Sequence, residues 1–488
     1  MSISFNDIPN TVRVPLAYIE IDNTGAISGT PAPQYKAMFF GQMLTTGTAV
    51  AGEPVRITSP SQAEQLFGAG SMLATMFRFG KQANDNLETW AIPLAESASG
   101  NAAGGSVTVT GTAATGGTIQ LMIAGERVPV GVTAGDDASA MAASIAGAIS
   151  VNPRLPVTAS AAAAKVTITC KWKGETGNDI DLRANYYTGE ALPDGVGLAI
   201  EVMETGSGNP DITDALAGMG DEWYQAIIMP FTDTPNMNAL EQEMLERWGP
   251  MKQIDNICYC AFRGNHGETG TFGNSRNQFL ASCLGTNIAP QPPYIWASVY
   301  GMIAAASLSI DPARPLQTLR LPGILPPQVS LRWTNVEREL LLHDGIATYS
   351  IASGDVVQIE REISFYQENS FGDPDPSYLD ITTPATLSYI RYATRTRITQ
   401  KFPRHKLADD GSRFGPGQAI VTPGIIRGEL LALFTELETK GLVENFDKYK
   451  ASLVVQRNAD DRNRLDVLAH PDIVNQLRIF AGKLQFVL

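Results

Sequence analysis

The stretch that most limits what this chain can become is its last, Leu465 to Leu488. Apolar residues fall at Leu477, Ile479 and Ala481, then at Leu484, Phe486 and Leu488. A spacing of two predicts a strand with one apolar face. The parity switches at Gly482, where a β-bulge would re-aim the chain. Chain ends usually fray and are polar, so a stretch this apolar calls for cover. Its own sheet would supply that cover, and so would the sheet edge of another molecule, to which it would add a strand. The residues alone leave both arrangements open.

The first stretch, Met1 to about Ile27, has few signs of an independent core. Val12, Val14, Leu16 and Tyr18 share one face of an extended chain with Glu20 and Asp22, and Pro9 and Pro15 punctuate it. Fully extended, about 25 residues reach about 80–90 Å, enough to cross to a neighbouring molecule. A first strand of the chain's own sheet fits equally well.

At 488 residues and 44% hydrophobic content the chain can hold two to four domains with sizeable cores. A net charge of −14 argues against a protein that coats nucleic acid. From Phe371 onward there are 16 Lys and Arg against 14 Asp and Glu, so the acidity lies elsewhere and this last quarter is best suited to an acidic partner. The four cysteines lack zinc-site spacing and read as buried thiols of a reducing compartment. Met1 to Asn10 lacks a secretory pattern. Tyr294 to Ile310 is uncharged but rich in Ala, Ser and Gly, and reads as a core helix rather than a membrane span. A large soluble cytoplasmic protein is expected, with no membrane insertion.

Along the chain, Ala37 to Phe40 and Val55 to Ile57 read as strands. A helix follows with Ser59 as cap and Pro60 at its first position, ending at Phe67-Gly68, and then a second helix capped by Ser71. Leu87 to Leu94 is a strand. From Ser97 to about Gly208 the composition turns to Ala, Gly and Thr with alternating runs, which predicts an inserted, mainly β segment with one helix at Ala138 to Ile149. The α/β pattern then returns, with strands at Ala226 to Met229 and Ile257 to Phe262. Helices are expected at Met237 to Trp248, at about Ser275 to Cys283 with Ser275 as cap, and at Tyr294 to Ser309. Such alternation predicts a largely parallel sheet. Later come helices at Pro384 to Lys401 and Gly424 to Lys440 and a strand at Tyr449 to Gln456.

Several segments together resemble one family. They are the strand–helix–helix–strand opening, Asp311-Pro312-Ala313-Arg314-Pro315, Arg361 to Phe365 with Ser377 to Ile381, and Asp409-Asp410-Gly411 with Gly415-Pro416-Gly417-Gln418. The last is Asn463 to Val467 followed by Pro471-Asp472 and Val474 to Arg478. No single motif is diagnostic, but their joint order resembles contractile-tail sheath proteins of myophages, most like the Mu-like type, over nearly all of the chain except the insertion.

The resemblance implies an α/β multidomain fold: a subtilisin-like core (28–96 and 209–370), an inserted protruding β-rich domain (97–208) and an α+β C-terminal inner domain (371–470). Extended strand arms would occupy 1–27 and 471–488. It implies a structural subunit, not an enzyme, without cofactor or metal. Its partners would be other sheath subunits, in hexameric rings, together with the tail tube protein, the baseplate and the tail terminator. Its place would be the virion tail, assembled in the host cytoplasm. On this reading Val12, Val14, Leu16, Tyr18, Leu477, Ile479, Leu484, Phe486 and Leu488 pair with neighbouring subunits.

A subtilisin-like topology makes a serine hydrolase the alternative to weigh. A triad needs a serine, a histidine and an orienting carboxylate. His266, His343, His405 and His470 are the only histidines, and no nucleophile turn is present. A surface adhesin, suggested by the Thr- and Ala-rich insertion, would need a secretion signal. The basic run Arg391, Arg395, Arg397 and Lys401 holds two i,i+4 like-charge pairs, which repel unless an anion compensates. It reads either as a solvated face beside acidic residues of the same chain or as a contact for an acidic tube.

Overall fold

The computed structural model describes residues 33–415 and 417–487. Val12, Val14, Leu16, Tyr18 and Leu488 lie outside the described residues. The described chain divides into two compact units, one of residues 34–389 and 475–487, the other of 390–474.

In the larger unit a six-stranded sheet runs Ala281–Gly285, Ile257–Phe262, Ala226–Ile228, Lys36–Gln42, Glu88–Leu94 and Val55–Ile57. All neighbours are parallel except the last pair. Its inner strands are buried on both faces, as parallel strands between helices must be. Pro293–Ile310 packs on this sheet and on the helix Met72–Ala83. It passes the length and hydropathy test for a membrane span, but 72% of it is buried in the fold. Its contacts explain its composition. Gly301 approaches so closely that an added Cβ would lie 2.0 Å from Cδ1 of Ile228. Ser298 donates to the carbonyl of Met76 at 2.5 Å.

The cap signals in the sequence act as read. Ser59 Oγ accepts from the amide of Gln62 at 3.3 Å, and Ser71 Oγ from that of Ala74 at 3.1 Å. The expected helix from Ser275 to Cys283 is a correction. The helix is His266–Asn274, opened by a capping box in which Asn265 and Glu268 bond each other's amides at 3.0 and 2.9 Å. Ser275 ends it, and Ala281–Gly285 is the edge strand of the sheet. Three glycines hid that helix. One of them, Gly273, has no room for a side chain, because a Cβ would meet the Asp344 carbonyl at 2.0 Å.

Residues 97–208 form a four-stranded antiparallel sheet (Val196–Glu204, Ala102–Gly111, Lys165–Lys173, Val157–Ala162) and a three-stranded one (Glu126–Val132, Gly117–Ile123, Leu182–Ala184), with the helix Ala138–Val151. The edge strand Val196–Glu204 breaks register between Glu201 and Glu204. This segment is not separate from the α/β part. One contiguous hydrophobic core runs through both, and Asp181 is paired with Arg183 and, at 2.8 Å, with Arg263.

The edge of the large sheet is sealed by later chain. The amide of Phe365 donates to Ala281 O at 3.1 Å, and Ser282 Oγ to Ile363 O at 2.6 Å. Residues 371–389 therefore begin in this unit, where Ile381 and Ala385 are core.

In the smaller unit Pro423–Thr439, capped by Thr422, buries Ile426, Leu430, Leu433, Phe434 and Leu437. The strand expected at Tyr449 to Gln456 divides in two. Phe446–Ser452 is helical, with Tyr449 stacked on Phe434 at 4.1 Å, and only Val454–Arg457 is extended. The ring stack holds Tyr449 on a helix where its β preference pointed to a strand. Val454–Arg457 pairs with Leu465–Leu468 as a two-stranded hairpin, which the sequence reading missed.

Candidate functional site

The last stretch is built on alternation, but its buried face is the polar one. Gln476 and Arg478 turn into the larger unit, while Leu477 and Ile479 are 81% and 78% exposed. Gln476 Nε2 donates to the carbonyl of Ala313 at 2.8 Å. Arg478, its side chain 10% exposed, pairs with the fully buried Glu362 and, at 3.2 Å, with Asp380. Beyond Arg478 the described chain is open to solvent: Phe480, Leu484, Phe486 and Val487 are all more than four-fifths exposed. Residues 475–487 carry no strand pairing of their own. The sequence expectation of a strand here meets a segment without regular secondary structure. Its apolar groups would each gain about 1.5–3 kcal/mol from burial.

The smaller unit carries an unpaired edge of its own. The hairpin of Val454–Arg457 and Leu465–Leu468 has no third strand among the described residues. It exposes Val454, Val467 and Leu468. A two-stranded ribbon is marginal alone and presents unpaired backbone groups on both sides.

The basic run divides by position along the helix Thr382–Lys401. Arg397 is buried and ion-paired with Glu436 and, at 3.6 Å, with Glu429, and Lys401 reaches Glu429 at 2.8 Å. These two answer to acids of the neighbouring helix. Arg395 is exposed and Arg391 half-buried.

The residues weighed for catalysis do not assemble. His266 Nε2 lies 3.0 Å from the Glu337 carbonyl and packs its ring against Trp333. His343 is paired with Glu339 at 3.5 Å beside a surface cleft whose lining has no serine or cysteine. A second cleft holds Ser350 but no histidine. Among the described residues no cluster of His, Cys, Asp and Glu could hold a metal. The four cysteines are buried thiols.

Residues 205–365 match the family model for the phage tail sheath protein central domain, and 373–487 that for the phage tail sheath C-terminal domain. The Mu-like prophage FluMu tail sheath protein of Haemophilus influenzae is 52% identical over 488 residues, the full length of both chains. Two solved structures share the fold. The sheath tail protein Lin1278 from Listeria innocua has TM-score 0.50 and 12% identity over 92% of this chain and 94% of its own. The anti-feeding prophage helical sheath in the contracted state has TM-score 0.50 and 11% identity over 97% and 99%. Together with two family models that span most of the chain, a full-length relative sharing half its residues means that this chain belongs to the phage tail sheath family, in its Mu-like branch.

Proposed function

We propose that this phage tail sheath protein polymerises with copies of itself around a tail tube, and that the resulting sheath contracts to drive the tube through a host envelope. The observation that carries the reading is the last stretch: anchored at its root and apolar and unpaired beyond it. It is a strand waiting for an edge, and the two-stranded hairpin at 454–468 is the edge on offer in the next copy. Each such junction is modest, but many held in one lattice reinforce one another through effective concentration. The first stretch, with Val12, Val14, Leu16 and Tyr18, would serve as a second arm. Leu488 would extend the first.

The likeness to a sheath captured contracted supports the contractile part. The finer features follow the same reading. The core has a subtilisin-like arrangement without its chemistry. The segment 97–208 decorates the exterior, and the C-terminal part faces the tube. Rings are hexameric, baseplate and terminator bind the sheath's ends, and assembly takes place in the host cytoplasm. No cofactor or nucleic acid is involved. The basic run Arg391, Arg395, Arg397 and Lys401 meets an acidic tube through its exposed members, Arg395 and Lys401.

Deletion of residues 479–488 tests the arm directly, because it spares Arg478 and leaves Glu362 neutralised. The truncated chain should remain a folded monomer and form no sheaths in negative-stain electron microscopy. Sheath-like tubes from it would count decisively against the donated strand.

A further inference from the structure

Glu362 is a carboxylate with no exposed side-chain surface, just beyond the strand Val356–Arg361. Such a group survives only when paired and hydrogen-bonded. Its Oε1 accepts the amide of Leu316 at 3.1 Å. Its remaining capacity is filled by Arg478, with Nη1 3.2 Å from Oε2 and Nη2 on Oε1. The same Nη2 lies 3.2 Å from Oδ1 of Asp380, whose two oxygens are held by Nε and Nη2 of Arg361 at 3.1 and 3.2 Å. Two guanidinium groups and two carboxylates thus neutralise one another. Arg478 is the only one of the four supplied by the last stretch. Gln476 adds a second tie two residues earlier, on a turn that Asp311 closes by accepting the amide of Ala313 at 3.0 Å.

We infer that Arg478, locked between Glu362 and Asp380, is the fastening that makes residues 475–478 part of the core, so that tension applied to 479–487 by a second copy of this chain passes into the large sheet. The path is short. Glu362 is flanked by Arg361 and Ile363, and residues 363–365 are bonded to the edge strand Ala281–Gly285 through Ser282 and the Phe365 amide. The lock also accounts for the inverted alternation of the stretch. Gln476 and Arg478 hold on to the parent molecule, so Leu477 and Ile479 between and beyond them are turned outward for the neighbour. The inference rests on the donated-strand reading above.

Trypsin reads the lock directly, because it must seat the side chain it cuts after. Arg478 and Lys483 lie five residues apart, the first buried in ion pairs and the second exposed. In the full-length monomer, mass spectrometry should show cleavage after Lys483 at least about ten-fold faster than after Arg478, since a protected site is cut only through local opening. Glu362→Gln keeps an acceptor for the Leu316 amide and removes the charge. It should bring the two rates within about two-fold without changing the cut at Lys483. Asp380→Asn, a change nearer the surface, should give an intermediate rate and serves if the first variant folds poorly. Equal cleavage at both sites in the unaltered chain would overturn the lock. Sheaths of the Glu362→Gln protein should form but shed subunits under shear, and sheaths as durable as the parent's would overturn the path of tension. Sheath formation by the chain lacking 479–488 would remove the donated strand while leaving the cleavage difference intact, so the two failures are distinguishable.

Discussion

Asp179 shows how strongly one position can bias this fold. Burial beside the turn Glu175–Gly177 pushes its carboxyl from an ordinary 3.8 up to about 7, with Arg263 pulling it back and Glu175 adding to the rise. The folded chain therefore holds a proton there that the unfolded chain has released. The stability this group contributes is complete below about pH 3.8 and is lost as pH rises through about 7. Replacing Asp179 by Asn should raise the melting temperature, and by more at pH 8 than at pH 5. An equal shift at both would show that the carboxylate is not desolvated. Nothing in the run Thr176-Gly177-Asn178-Asp179 announces this, because the burial comes from packing between distant segments. Ser59, Ser71 and Asp233 were different. A cap acts within three residues, so the first two were legible in the sequence, and Asp233 accepts the Asn236 amide at 3.2 Å one turn earlier than the apolar pattern suggested.

Among elements, the helices Thr382–Lys401 and Pro423–Thr439 are joined by charge. Arg397 pairs with both Glu429 and Glu436 of the second helix, so Arg397→Ala removes the cation those two acids share, while Glu429 keeps Lys401. It should cost roughly 1–2 kcal/mol, less than a fully buried pair because both acids retain some water. A urea denaturation midpoint measures it. Arg395→Glu, at an exposed position, should reduce co-assembly with the tube at moderate salt. Unchanged co-assembly would remove Arg395 from the tube contact. Strands at Lys36–Gln42 and Ile257–Phe262 were legible because unbroken apolar runs have few other uses in a buried parallel sheet. The element error at Ser275 comes from glycines that hid the helix before it, and that at Tyr449 from a ring stack that overrode local preference. The apolar period at 477–488 was legible, but its meaning was not. Only the structure shows that Gln476 and Arg478, the residues between, are the ones that hold.

At the level of the whole molecule, sequence order pointed to the family, and the turn to Ala, Gly and Thr coincides with the antiparallel sheets of residues 97–208. Composition could not show that the insertion and the α/β part share one continuous core, since a shared core is a matter of which faces meet. It also could not show that residues 371–389 pack with the larger unit. The molecule's exposed strand edges differ in a way that follows from their residues. The edge strand Val196–Glu204 breaks register with its inner neighbour between Glu201 and Glu204, leaves both glutamates exposed, and ties Glu201 to Lys165 at 3.0 Å. Such an edge repels an incoming strand. The hairpin at 454–468 shows Val454, Val467 and Leu468 instead. On the donated-strand reading, a crowded pool of newly made chains finds the hairpin at 454–468 open to docking and the edge at Val196–Glu204 barred, so growth in the wrong direction is discouraged from the start.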